Sequence, residues 1–372
     1  MLLNSKSTGE FYRGKRQKIG FAFILTVIAI AIVVFMVMTF YGLQKYIVIT
    51  NDGIKLDIPM INGGMSYMSK DDDGNVIIEY EDVDAELVIG EADYSNVMSV
   101  AGQDLDEVNA YFISAGSVNE STVSGYVNSH EDCKAVVLEL KPSSGMLAWK
   151  TDVEFADAYG LNGSTELKPI INSLKDKDIY VAAQLNCFVD SALASHYSHM
   201  ILTTDSGMQY TNGAGVWLDP FNSDLRSYII SLCRELANMG VDEIILNNVK
   251  IPEADVYNYV FSASTSTKPT AVSAVSGFVL DVTRALKSCG ARISVRCDSE
   301  TALMVGEDLS TGQNAEVLFK VFDRVYCYTT PDRVTELSQC AGDLIEIGDA
   351  DTRFVPVCSG EIPNTPSWVY SD

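Results

Sequence analysis

The chain predicts an α/β protein of the (β/α)8 TIM-barrel type, its last unit shortened or incomplete, preceded by a transmembrane helix and a small β-rich stalk. Three observations carry that expectation. From about residue 105 apolar strand-like runs alternate with amphipathic helical stretches, the rhythm of βα units around a parallel sheet. Gly240-Val-Asp-Glu-Ile-Ile-Leu-Asn-Asn-Val-Lys-Ile-Pro252 is apolar at Ile244-Ile245-Leu246 and then abruptly polar at Asn247, Asn248 and Lys250. That is how a barrel strand reads when it is buried inside the sheet and delivers its polar residues at the C-terminal edge. Finally, residues 19–41 contain no charged side chain.

Taken in order, residues 1–18 form a basic tail, with Lys6, Arg13, Lys15, Arg16 and Lys18 against the single acid Glu10. Residues 19–41 are long enough for the roughly 20 apolar residues of a membrane span. The positive-inside bias keeps the tail cytoplasmic and sends the rest outside. The rival reading, a cleaved signal peptide, requires a shorter apolar core ending in small residues, and Phe40-Tyr-Gly-Leu-Gln44 offers no such site. Beyond the span lie 21 bases and 49 acids, a net charge of −28. Phosphate backbones demand clustered cations, so nucleic acid is excluded as an expected partner, and the acidic surface reads as a solubility feature of an exported domain.

Residues 42–104 show strand alternation broken by turns, with Asn51-Asp-Gly53 following Tyr46-Ile-Val-Ile-Thr50 as a hairpin signal. Asp71-Asp-Asp-Gly-Asn75 resembles a calcium loop only loosely, because its glycine comes fourth rather than sixth. It is expected to be a solvated turn. Nothing in the chain calls for a metal or cofactor: no Cys pair has CxxC spacing, His196-Tyr-Ser-His199 lacks wider helical spacing, and no phosphate loop or nucleophile elbow is present. The eight cysteines read as mostly free thiols, several of them small buried hydrophobes on strands.

In the barrel region, residues 105–372, strands are expected at 110–114, 135–141, 179–185, 243–246, 292–297, 324–328 and 353–358. Helices are clearest at 223–238 and 271–287, the first with Leu225, Tyr228, Ile229, Leu232, Leu236 and Met239 on one face. The eighth strand falls on Ser367-Trp-Val-Tyr370 with no helix before it, so the barrel is either closed by a truncated unit or left open.

The fourth-strand segment resembles the hallmark of the bacterial putative glycoside hydrolase domain family, barrels related in fold to the alpha-amylase type. Gly240, Asp242, Glu243, Ile244, Val249 and Pro252 match it, whereas the family's aspartate, tyrosine and arginine fall on Asn247, Asn248 and Lys250. Four further matches follow family order and bring the likeness to about residues 108–358. Glu139 and Lys141 stand in the second strand, Phe188-Val-Asp190 after the third, Trp217-Leu-Asp219-Pro-Phe-Asn222 before a helix, and Phe322-Asp323 with Tyr328 around the sixth. The resemblance implies a barrel that acts on or binds a cell-wall or surface polysaccharide, peptidoglycan included.

Glycoside hydrolysis uses two carboxylates, one protonating the leaving oxygen and one acting as nucleophile or activating water. With an amide at Asn247, the predicted catalytic pair is Glu139 and Asp298, at the ends of strands two and five. For Glu139 the alternative is an ion pair with a lysine such as Lys141. Predicted substrate contacts are Asn247, Asn248, Lys250, Lys141, Arg296, Asp190, Trp217, Asp219 and Tyr328, since amides bond sugar hydroxyls and rings stack on sugar faces. Arg296 suits either a neighbouring carboxylate or an anionic sugar. Two functions stay open: a hydrolase, and a barrel that has lost catalysis and serves as a glycan-binding or envelope scaffold protein.

Overall fold

Strand residues of period two sort their side chains to opposite faces, and in this chain both faces are apolar. The computed structural model describes residues 105–130, 132–252, 259–260 and 270–371, the short strands Ile47–Thr50, Gly53–Leu56, Met68–Lys70 and Val76–Ile78, and the helical Ile32. Eight parallel strands close into a barrel: β1 (Asn109–Ile113), β2 (Ala135–Lys141), β3 (Tyr180–Asn186), β4 (Glu243–Asn247), β5 (Arg292–Arg296), β6 (Val325–Tyr328), β7 (Phe354–Ser359) and β8 (Trp368–Ser371). Neighbours around the ring follow chain order, and β8 closes it on β1 through Val369 opposite Ala110. Val136, Leu138, Val181, Ala183, Ile244, Leu246, Ile293 and Val295 belong to the core shared with the helices. Ala110, Ala135, Val137, Ala182, Ile245, Tyr326, Val355 and Val369 fill the interior. Three alanines among larger Val, Ile and Tyr side chains let that interior close into a packed core, as an eight-stranded barrel requires.

The crossover helices are α1 (Glu120–Ser129), α2 (Leu167–Lys175), α3 (Ser223–Met239), α4 (Ala271–Leu286), α5 (Ala315–Val321) and α6 (Val334–Leu344). The start of α3 is capped by Asn222, whose side chain accepts from the N–H groups of Asp224 and Leu225, and its end falls on Gly240 at φ +101°. That left-handed residue is what a helix terminus needs and what glycine supplies cheaply. A capping box between Thr270 and Ser273 opens α4.

The last crossover has no helix. Residues 360–367 return from the end of β7 to the start of β8 as irregular chain. Eight residues at up to about 3.3 Å each suffice to span a strand of this length. The return is pinned where it ends: the Val108 N–H donates to Ser367 Oγ at 3.2 Å, and the Trp368 N–H donates to the Val108 carbonyl at 2.7 Å. The shortened unit therefore closes the barrel, and the open alternative is set aside.

Residues 1–91 form a separate contact unit. Within it, Ile47–Thr50 pairs antiparallel with Gly53–Leu56, ending at Thr50 opposite Gly53, and Met68–Lys70 pairs with Val76–Ile78. The turns expected at Asn51-Asp52 and from Asp71 to Asn75 fall between these paired strands and lie outside the described residues. Among the described residues no helix is long and apolar enough to cross a membrane. The expected span, residues 19–41, lies outside them except for Ile32.

Candidate functional site

Inward alternation decides which residues reach the C-terminal mouth. Counting outward from the interior positions Val137, Ala182, Ile245, Ser294 and Tyr326, the same face next presents Glu139, Gln184 then Asn186, Asn247, Arg296 and Tyr328. Glu139 stands opposite Gln184, and Asn186 opposite Asn247. The predicted residues Glu139, Asn247, Asn248, Lys250, Arg296, Asp298 and Tyr328 thus gather at one end of the barrel.

Asp298, just past β5, forms an ion pair with Arg296, its Oδ1 2.7 Å from Nε, and lies 3.8 Å from Lys250 Nζ. The Arg296 guanidinium also lies over the Tyr328 ring, 4.7 Å from its centroid, and Tyr328 is exposed. On the opposite wall Glu139 Oε2 accepts from the Ala115 backbone N–H at 3.1 Å, in the loop after β1. Asn248 holds φ +51°, a left-handed conformation, and donates to two amide oxygens. Its backbone N–H donates to Asn247 Oδ1 at 2.8 Å and its Nδ2 to Asn186 Oδ1 at 2.9 Å.

Four predicted contacts lie elsewhere. Lys141 and Asp190 are sealed from solvent and pair at 2.7 Å, with Lys141 also donating to the Asn186 carbonyl at 2.8 Å. Lys141 is therefore engaged by Asp190, and the suggested Glu139–Lys141 ion pair does not form. Asp190 additionally caps the helix Ser191–His196 through the Leu193 N–H at 2.6 Å. Trp217 is buried and donates to Asn212 Oδ1, and Asp219 is buried and accepts from the Phe221 N–H. These four side chains hold the walls and loops around the mouth in place of lining it.

Two residues of the mouth were not foreseen. Asn186 ends β3 as Asn247 ends β4, a polar residue closing an apolar run, so the same sequence signal was present. Gln313 had none. It lies on the short strand Gln313–Asn314 just before α5, fully buried, and its Oε1 accepts from the N–H groups of Asp298 and Ser299 while its Nε2 donates to the carbonyls of Val249 and Arg296. One amide side chain thereby ties the β4 and β5 ends together.

The barrel's other end carries a structural network. Arg324 Nη1 meets Glu243 Oε2 at 2.7 Å, and Tyr180 and Tyr326 donate to the same carboxylate at 2.8 and 2.9 Å. Burial first, then the Glu243 charge, pushes both phenols well above their usual range. A recess of about 600 Å³ opens there, lined by Asp106, Lys134, Arg292 and Arg324 among others. The N-terminal face of a barrel usually serves stability.

The model of the family described as "Putative glycosyl hydrolase domain" matches residues 110–336, more than half the chain. No curated protein matches. Among solved structures, the PgaB (BpsB) glycoside hydrolase domain from Bordetella bronchiseptica aligns with TM-score 0.52 at 10% identity, over 72% of this chain and 94% of that one. A hypothetical protein from Ruminiclostridium thermocellum aligns at TM-score 0.44 and 19% identity, over 50% of this chain and 96% of that one. At such identities the Bordetella likeness speaks to the fold alone.

Proposed function

Because the chain belongs to the "Putative glycosyl hydrolase domain" family, we propose that it is a membrane-anchored extracellular protein whose barrel mouth takes up a cell-wall or surface polysaccharide and hydrolyses it. The observation that carries this reading is the convergence of Glu139, Asn247, Arg296, Asp298 and Tyr328 at the C-terminal end of one closed barrel. Two carboxylates on facing arcs, Glu139 on β2 and Asp298 beyond β5, suit the two tasks of glycosidic cleavage. Asp298 is already engaged by two cations, so Glu139 is assigned the proton given to the leaving oxygen. Asp298 takes the proton of the attacking water, or attacks itself. The anchor rests on the uncharged residues 19–41 and the basic tail before them.

A second reading, binding without cleavage, is favoured by one observation: the strand-four position is an amide, Asn247, whose oxygen already accepts from the Asn248 N–H. An amide does not exchange a catalytic proton. The test is to incubate the full-length chain in mild detergent with peptidoglycan and a panel of surface polysaccharides, assaying released reducing ends and co-sedimentation together. Release abolished by Glu139→Gln and by Asp298→Asn supports hydrolysis; sedimentation without release, whether or not Asn247→Asp restores it, supports the binding reading. Neither release nor sedimentation with any glycan rejects both.

A further inference from the structure

We infer that the β3–β5 arc of the mouth is an anion clamp, and that the saccharide taken there carries a carboxylate or phosphate beside the bond that Glu139 and Asp298 flank. The inference deepens the glycan reading above and rests on it. Three adjacent strands end in inward-facing nitrogen-bearing side chains: Asn186 on β3, Asn247 on β4 and Arg296 on β5, with Lys250 just beyond β4. The oxygen of each amide accepts one hydrogen bond from Asn248, one from its main chain and one from its side chain. What the pair still offers a ligand is its N–H groups, in surplus over the single lone pair left on each oxygen.

Arg296 is held by two neighbours, the Asp298 carboxylate 2.7 Å from its Nε and the Tyr328 ring 4.7 Å from its guanidinium carbon. Its two terminal nitrogens have no partner among the described residues, and Lys250 Nζ stands 3.8 Å from its nearest acid, beyond hydrogen-bond length. A guanidinium held in place with its fork open is what grips an oxyanion by two parallel bonds. A hydroxyl both donates and accepts, so a neutral sugar is matched best by evenly mixed partners, whereas an arc dominated by donors matches a group that only accepts. Arg296 and Lys250 against Asp298 also leave the arc one positive charge in excess, in a chain of net charge −24. That overall charge repels dense polyanions at long range, and so favours a saccharide with an isolated anionic group.

The experiment measures binding of glucuronate and glucose 6-phosphate, with glucose and N-acetylglucosamine as neutral probes, by calorimetry on the full-length chain in detergent. The wild type is expected to hold an anionic sugar about 10-fold or more tightly than a neutral one, and Arg296→Gln to abolish that preference. Lys250→Gln, which leaves the Arg296–Asp298 contact intact, is expected to reduce the preference several-fold and guards against a folding defect in the first variant. Which of the two anionic probes binds better identifies the group. Equal binding of neutral and anionic sugars, or a preference untouched by both variants, overturns the clamp and leaves the glycan reading standing; no binding of any sugar overturns both.

Discussion

Asn248 shows how much one residue's backbone can set. Its φ of +51° turns the chain so that its N–H and its amide meet the oxygens of Asn247 and Asn186. The left-handed region costs a residue bearing Cβ roughly 1–2 kcal/mol and costs glycine little, with asparagine tolerated between them. Asn248→Ala is therefore expected to be less stable than Asn248→Gly by about 1 kcal/mol in urea denaturation, although alanine is normally the better-tolerated residue. Asp308 carries a pH signature. Burial pushes its carboxyl up, but hydrogen bonds from Ser299 Oγ, Ser310 Oγ and the Ser310 N–H outweigh that and bring it down to about 2. A carboxylate depressed by folding stabilises the native state above its ordinary value near 3.8 and loses that contribution as pH falls through about 2. The urea midpoint difference between the wild type and Asp308→Asn is expected to be full at pH 7 and to shrink toward pH 2; a difference independent of pH would contradict the assignment.

At the scale of elements, the fourth-strand segment divides into two halves with different work. Gly240 ends α3, Asp242 accepts from the Val181 N–H at 2.8 Å and pairs with Lys175, and Glu243 anchors the buried network with Arg324. These are among the positions where the chain keeps the family pattern. The departures, Asn247, Asn248 and Lys250, fall at the mouth. The hallmark was thus legible as fold, because a helix stop, a strand-bridging carboxylate and a buried ion pair leave local traces in sequence. Its chemistry was legible only as a list of polar strand ends.

The expected strands agree with those observed to within a residue or so at their ends, for the physical reason that strands buried on both faces read as continuous apolar runs. What escaped was long-range. Nothing near Lys141 announces that Asp190 will bury it, and nothing near Gln313 announces Asp298. Removing one partner of a buried pair leaves an uncompensated charge, so Glu243→Ala, which strands Arg324, is expected to cost about 3–5 kcal/mol in chemical denaturation. Gly145→Ala should also unsettle the mouth's support, because at φ +88° its Cβ would fall 1.8 Å from Asp190 Oδ1, and a sharply lowered melting temperature is the expected result.

For the molecule as a whole, the barrel assigns its two ends different roles. The N-terminal end is locked by a carboxylate, a guanidinium and two phenols that satisfy one another; the C-terminal end keeps open donors, an exposed ring and two carboxylates. The central claim is that ligand meets the second end. Hydrogen–deuterium exchange of the full-length chain, with and without a polysaccharide it sediments, tests that claim most directly. The account predicts protection confined to peptides spanning residues 113–117, 186–190, 247–252 and 296–299. Protection instead at residues 105–109, 134–135 and 324, around the recess at the opposite end, would contradict it.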